Sequence, residues 1–227
     1  SVFLPIEGSD LIGFWSGPAV VSRFPIVGSE IHRFARQAGK SNHRSVARVV
    51  VRTPTGDISV YVAHLSGDPP AVNLAQTADL AQYVENTRGS NPAVVAGDFN
   101  AEPDWPSIRM LEIDRGYINT YKAANGRTAP TNCVTITPGY FNPFDNCKPE
   151  EVFRHTIDYL FLVPGRTFSG GVLSSRLFLN TPGRTKAGRK LWASDHVGIV
   201  SVLQLGARLN GQSNSPTVQA GSWRSGF

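Results

Sequence analysis

Several things are scarce in this chain of 227 residues. No apolar run approaches the ~20 residues that a membrane-crossing helix needs, so no such helix is expected. There are two cysteines, Cys133 and Cys147, and a metal site needs more ligands than this pair. No internal repeat is found. No basic-then-apolar leader opens the chain, and Ser1 is therefore expected to start a mature or trimmed product.

What is present suits one domain with a substantial core. The net charge of +5 and the pI near 9.5 favour acidic partners such as nucleic acid, phosphate esters or an anionic surface. Solubility alone is the plainer account of the same charge. The cysteines lie in a segment rich in Pro, Asn and Gly, from Thr131 to Pro149. A disulfide there would close a loop for which chain entropy gives ~3 kcal/mol. An even count in such a loop points to a secreted protein, with two free thiols as the alternative.

The chain is organised around Pro92-Ala93-Val94-Val95-Ala96-Gly97-Asp98-Phe99-Asn100. Its apolar run has the length of a fully buried strand and stops abruptly at a carboxylate and a carboxamide. Polar groups at the carboxyl end of such a strand sit where open α/β sheets place their ligands. A strand followed by an Asx-type turn explains the same residues without chemistry.

Before it, Pro18 to Ser22 reads as a short strand and Glu30 to Arg44 as an exposed loop or edge. Val46, Val49, Val50 and Val51 mark another strand, Pro54-Thr55-Gly56-Asp57 a turn, and Ile58, Val60 and Val62 alternate into a strand that delivers His64 at its end. A helix is expected from about Val72 to Arg88, with Leu74, Ala78, Ala81 and Val84 on its apolar face and Gly89 beyond its end. That helix makes a crossover, so the strand at Ala93 is expected to run parallel to the one carrying His64. Pro103 to Glu112 reads as a short helix and Tyr117 to Glu151 as loop. Strands return at Thr156–Val163, Val172–Leu179 and Val197–Leu205, with a basic loop from Gly183 to Lys190. The domain is expected to span 1–205, with 206–227 a flexible tail.

Four strand ends carry His64, Asp98 with Asn100, Asp158, and Asp195 with His196. Each lies beside apolar residues, where desolvation makes a charge or an imidazole useful. Singly, each has a dull explanation: a satisfied core histidine, a pair with Arg154, a turn before the last strand. Together, Gly97-Asp98-Phe99-Asn100, Thr156-Ile157-Asp158-Tyr159-Leu160-Phe161 and Ser194-Asp195-His196 resemble the endonuclease/exonuclease/phosphatase superfamily. That group includes pancreatic-type deoxyribonuclease, abasic-site endonucleases, neutral sphingomyelinases and inositol polyphosphate phosphatases. Val62-Ala63-His64-Leu65 is similar to its strand-end histidine motif, and Gly17 to Ile26 to the segment preceding it.

The resemblance implies a four-layer α/β sandwich: two face-packed mixed β-sheets with outer helices. It also implies a metal-dependent phosphodiesterase. Asp98 would activate the attacking water or touch the metal, and Asn100 would donate to the phosphoryl group. His196 would face the phosphate, oriented by Asp158. Asp195 would stand with Asp98 on the metal side, His64 would bind a phosphoryl oxygen, and Arg44 is a further substrate-binding candidate. Hard oxygen ligands imply Mg2+, with Mn2+ or Ca2+ as substitutes.

The family's pattern opens with two strands, ending in a metal-side asparagine and a metal-binding glutamate, that this sequence does not show. Glu7 is the sole acidic residue near a comparable position, and no strand is expected before it. An N-terminal polypeptide fragment completing the fold is one expectation that follows. The leading expectation of function is a secreted nuclease. A sphingomyelinase-type phospholipase or phosphomonoesterase is the first alternative, with Tyr140-Phe141-Asn142-Pro143-Phe144 as its membrane-seeking loop. A catalytically degenerate phosphate-binding module is the second.

Overall fold

The computed structural model describes residues 1–9, 14–39, 43–133, 153–166, 168–184, 186–188, 190–192 and 194–207. Four short strands open it, β1 (Val2–Phe3), β2 (Glu7–Ser9), β3 (Phe14–Ser16) and β4 (Ala19–Val20), with β1 paired to β4 and β2 to β3. Then come β5 (Ile26–Arg33), β6 (Ser45–Thr53), β7 (Gly56–His64), helix α1 (Pro70–Thr87), β8 (Ala93–Asp98) and α2 (Pro106–Arg109), which runs into a π-helical turn at Met110–Asp114. The rest is β9 (Ile118–Asn119), α3 (Thr120–Asn125), β10 (Asp158–Val163), β11 (Phe168–Phe178), β12 (Gly183–Arg184), β13 (Lys190–Leu191) and β14 (Gly198–Ala207).

The main sheet is six-stranded and mixed, in the order β5-β6-β7-β8-β10-β9. The β6–β7 hairpin turns where Pro54 to Asp57 predicts, and the crossover through α1 makes β7 and β8 parallel. A second sheet pairs β11 with β14 antiparallel. It is two-stranded among the described residues, smaller than the mixed sheet expected. Of the loop or edge expected from Glu30, the first residues are an edge: residues 26–33 form the edge strand of the main sheet, antiparallel to β6.

One face of the main sheet is the core. Tyr61, Ala63, Val95, Tyr159 and Phe161 alternate along β7, β8 and β10 and pack with Leu80 and Val84 of α1 and with Leu111. Phe99 meets Phe161 edge-on at 5.4 Å and Tyr159 at 5.5 Å, a geometry that adds about 1 kcal/mol per pair beyond burial. The other face, with Val94 and Ala96, is half-buried. β8 is therefore an alternating strand and not one buried on both sides.

Helix α1 corrects a further expectation. Leu74 points outward, 37% exposed, while Asn73 and Gln76 are buried. Asn73 Nδ2 donates to the carbonyls of Ser66 and Phe99, and Gln76 Oε1 accepts from the Ser66 N–H. The loop leaving β7 has backbone groups that no strand satisfies, and a buried donor or acceptor left unpaired costs about 1–3 kcal/mol. The polar side chains face inward to meet that need. Gly89 follows the helix with φ +70, the left-handed position expected of it. Asn119 caps α3 by accepting from the Lys122 N–H, inside a stretch expected to be loop.

Candidate active site

The strand ends meet in register. Ser45 lies opposite His64, His64 beside Asp98, and Asp98 opposite Asp158. Partners in a ladder project to the same face, so β6, β7, β8 and β10 deliver one row of side chains. The turn after β8 is held tightly. A Cβ on Gly97, at φ +142, would stand 1.8 Å from the Ala63 carbonyl oxygen, so only glycine fits. Asp98 Oδ1 accepts from the Asn100 N–H at 2.8 Å, the Asx turn. Asn100, at φ 49, donates from Nδ2 to the Leu65 carbonyl at 2.9 Å and to Asp98 Oδ2 at 3.2 Å. In this arrangement its amide hydrogens hold the loop and the carboxylate.

A second, shorter ladder meets the first at Asp158. Residues 131–133 run between 154–155 and 195–197, with Asn132 opposite both His155 and His196. His196 Nδ1 lies 2.8 Å from Asp158 Oδ2 and its Nε2 3.0 Å from the Asn132 amide. Thr131 Oγ1, fully buried, accepts from the N–H groups of Ile157 and Asp158. Two strand ends far apart in sequence are thus fixed by one three-residue segment.

The charges are strongly coupled. Burial and then the charge of Asp158 push Asp98 up to about 6, against the pull of His196, the Asn100 N–H and Arg44. Burial opposes protonation of His196, but the bond to Asp158 and the charges of Asp158, Asp98 and Asp195 outweigh it and hold the ring up at about 9. The carboxylates around His196 thus favour the charged form of the ring. His64 is pulled below its usual value by burial and by the positive charges of Arg44 and His196, although its Nε2 stands 3.4 Å from Asp98 Oδ2.

Asp98, Asp158 and His196 bring ligand atoms within 4.8 Å of one another. The two facing carboxylates, Asp98 and Asp158, suit a hard divalent cation, and His196 joins them as a ligand only as the neutral ring. Asp195 stands outside that trio, with Oδ2 3.8 Å from His196 Nε2. Arg44 lines a cavity of about 480 Å³ with His43, His64, Gly97 and Asp98. The sequence reading passed over Thr131, Asn132, Glu102 and His155. No motif marks the first two, and Glu102 and His155 are visible only as polar neighbours of Asn100 and Asp158. Cys147, the aromatic stretch 140–144 and the tail beyond Ala207 lie outside the described residues.

A sequence model of the Endonuclease/Exonuclease/phosphatase family matches residues 11–196. The uncharacterized protein YbhP of Escherichia coli strain K12 is 32% identical over 117 residues, which are 51% of this chain and 45% of that protein. The chain thus spans about half the length of the curated relatives it matches. Among solved structures, an endonuclease/exonuclease/phosphatase family protein from Bacteroides thetaiotaomicron superposes with a TM-score of 0.63 at 19% identity, covering 82% of this chain and 66% of that one. A mannosyl-6-phosphatase of B. thetaiotaomicron VPI-5482 gives 0.60 at 20% identity, covering 80% and 67%. TDP2 of D. rerio, complexed with a single-strand DNA product, gives 0.59 at 16% identity, covering 80% and 69%. At these identities the likeness concerns the fold.

Proposed function

We take as premise that this chain belongs to the endonuclease/exonuclease/phosphatase family, one of phosphoric ester hydrolases, and propose that it hydrolyses a phosphodiester of nucleic acid with a divalent cation, Mg2+ first. The observation that carries the reading is the convergence of Asp98, Asp158 and His196 at the strand ends of one sheet face. Asp98 and Asp158 would hold the cation, with Asp195 beside them. When bound, the ion supplies charge relief on the phosphoryl oxygens and a more acidic water.

The chain's own residues have separable tasks. Asp98, aimed by two bonds from Asn100, accepts the proton of the attacking water. His196, as a cation, would exchange the Asn132 amide at Nε2 for a phosphoryl oxygen when substrate binds, while Asp158 fixes the opposite nitrogen and so the ring's orientation. His64 and Arg44, on the far side of Asp98, receive the ester's other oxygens; the Arg44 guanidinium brings a planar fork of donors. The net charge of +5 supports a polyanionic substrate. Secretion, suggested by the two cysteines, belongs to the same proposal.

The cavity beside Arg44 supports a second reading. At about 480 Å³ it has the size of a small-ligand site, which suits a phosphomonoester. Incubation of the full chain with plasmid DNA and Mg2+, with and without EDTA, tests the first reading. Chelator-sensitive nicking is expected. Phosphate release from a panel of phosphomonoesters with intact plasmid would establish the second, and neither product would leave only a phosphate-binding module.

A further inference from the structure

Outside the trio a second carboxylate–imidazole pair stands at the rim of the site. His155 Nδ1 lies 2.6 Å from Glu102 Oε1, and Glu102 Oε2 accepts from the Thr156 N–H at 3.1 Å. A carboxylate only accepts, so Nδ1 carries a proton and Nε2 is the ring's remaining hydrogen-bonding atom. Nε2 has no hydrogen-bond partner among the described residues, and the side chain is 39% exposed.

The short ladder places this ring relative to the reacting centre. Asn132 and His155 exchange both backbone hydrogen bonds, whereas Asn132 and His196 form the pair flanked by the bonds from Cys133 N–H to Asp195 and from Val197 N–H to Thr131. The three residues are therefore one row on one face, with Cα steps of about 5.5 and 4.5 Å. Along that row the Cα atoms of His155 and His196 are therefore about 10 Å apart, a spacing on the scale of a sugar ring with its phosphate.

We propose that His155, oriented by Glu102, is a specificity residue that hydrogen-bonds a hydroxyl on the alcohol part of the ester, selecting polyhydroxylated substrates such as sugar phosphates. The inference rests on the phosphomonoester reading given above as the second. Glu102 ties the loop after Asn100 to the strand that carries Asp158, so a purely structural role is the rival. The two part company on substrate: a lost clamp weakens every ester alike, and a lost hydroxyl contact weakens only those with the hydroxyl.

The test is titration calorimetry of the full chain in Mg2+ buffer with two non-hydrolysable probes, methylphosphonate and the phosphonate analogue of glucose 6-phosphate. In His155→Ala the sugar phosphonate should bind about five- to tenfold more weakly, one hydrogen bond's worth. Methylphosphonate should stay within about twofold. His155→Gln, which keeps a polar end and guards against misfolding, should recover part of the preference. Equal weakening of both probes, or no change in either, overturns the inference alone. A wild-type chain that binds neither probe overturns the phosphomonoester reading of the cavity, and the inference with it, while the nucleic-acid reading stands or falls by the plasmid assay.

Discussion

The row Ser45–His64–Asp98–Asp158 crosses four strands of six to nine residues, whereas the row His155–Asn132–His196 crosses three segments that pair through single bridges. Both present side chains to the same centre, yet their order has different sources. In the long ladder the register is fixed many times over, because a slip by one residue would turn Tyr61, Val95 and Phe161 out of the core. In the short ladder no apolar alternation sets the register. Its alignment depends on Thr131 beneath Asp158 and on Asn132 against His196. The first row should tolerate loss of a side chain with its geometry intact, and the second should not.

Asp158 belongs to both rows, and its loss has the largest expected effect. Asp158→Asn keeps the shape but removes the charge that orients and protonates His196. kcat/KM on the phosphoric ester should fall about 10³–10⁴-fold, as when a carboxylate behind a catalytic imidazole is neutralised. A loss of tenfold or less would detach His196 from the chemistry.

The long ladder breaks through its backbone. Gly97→Ala puts a Cβ into the Ala63 carbonyl, and urea unfolding should show a loss of about 3–4 kcal/mol. Gly89→Ala is the control: its φ is equally positive, but nothing lies within 4 Å, so only the conformational cost of about 1 kcal/mol is expected. Equal losses would show that the close approach of β7 and β8 is not what holds the turn.

A smaller effect follows from protonation. His196 titrates near 6.5 when unfolded and at about 9 in the fold, so the native state binds the extra proton between those values. The stability this adds is present in full below about pH 6.5 and is lost as pH rises through about 9. With the side chain 29% exposed, it amounts to about 1–2 kcal/mol. The unfolding free energy of the wild type minus that of His196→Gln, measured from pH 6 to 10, should shrink with rising pH. Asp98, at about 6, titrates at the lower edge of this range, so the trend is read above about pH 7. A difference that stays flat would mean that Asp158 and His196 are not coupled.

The same contrast explains how much was legible in the sequence. His64, Asp98 and Asp158 could be placed because apolar alternation before His64 and apolar runs beside Asp98 and Asp158 identify strands and hence their ends, and the hairpin and crossover then fix the neighbours. Leu74 was misplaced because periodicity ranks residues by hydrophobicity, whereas Asn73 and Gln76 are drawn inward by the unpaired backbone of a loop seven to ten residues away in the chain. The strand at Ile26 was obscured because its edge position leaves Ser29, Glu30 and Arg33 exposed. Asn132 was invisible for a different reason. It sits in a run with no period and no motif, and its importance comes from what lies opposite it in space.

That residue gives the finest test of the comparison. Asn132→Ala removes the amide at His196 Nε2 and with it one of the side-chain contacts that align the short ladder. With Asp158 still holding Nδ1, the ring's titration midpoint, followed by NMR, should move by less than about one unit, because the carboxylates and not the amide set it. Activity should fall about tenfold, one hydrogen bond to a charged group. If the short ladder depends on its side chains as the geometry indicates, the same substitution at Ser45, which occupies the far end of the long row and is equally buried, should leave both the midpoint and the activity within about twofold of wild type. Were Ser45→Ala as damaging as Asn132→Ala, the distinction between a row fixed by register and a row fixed by side chains would not hold.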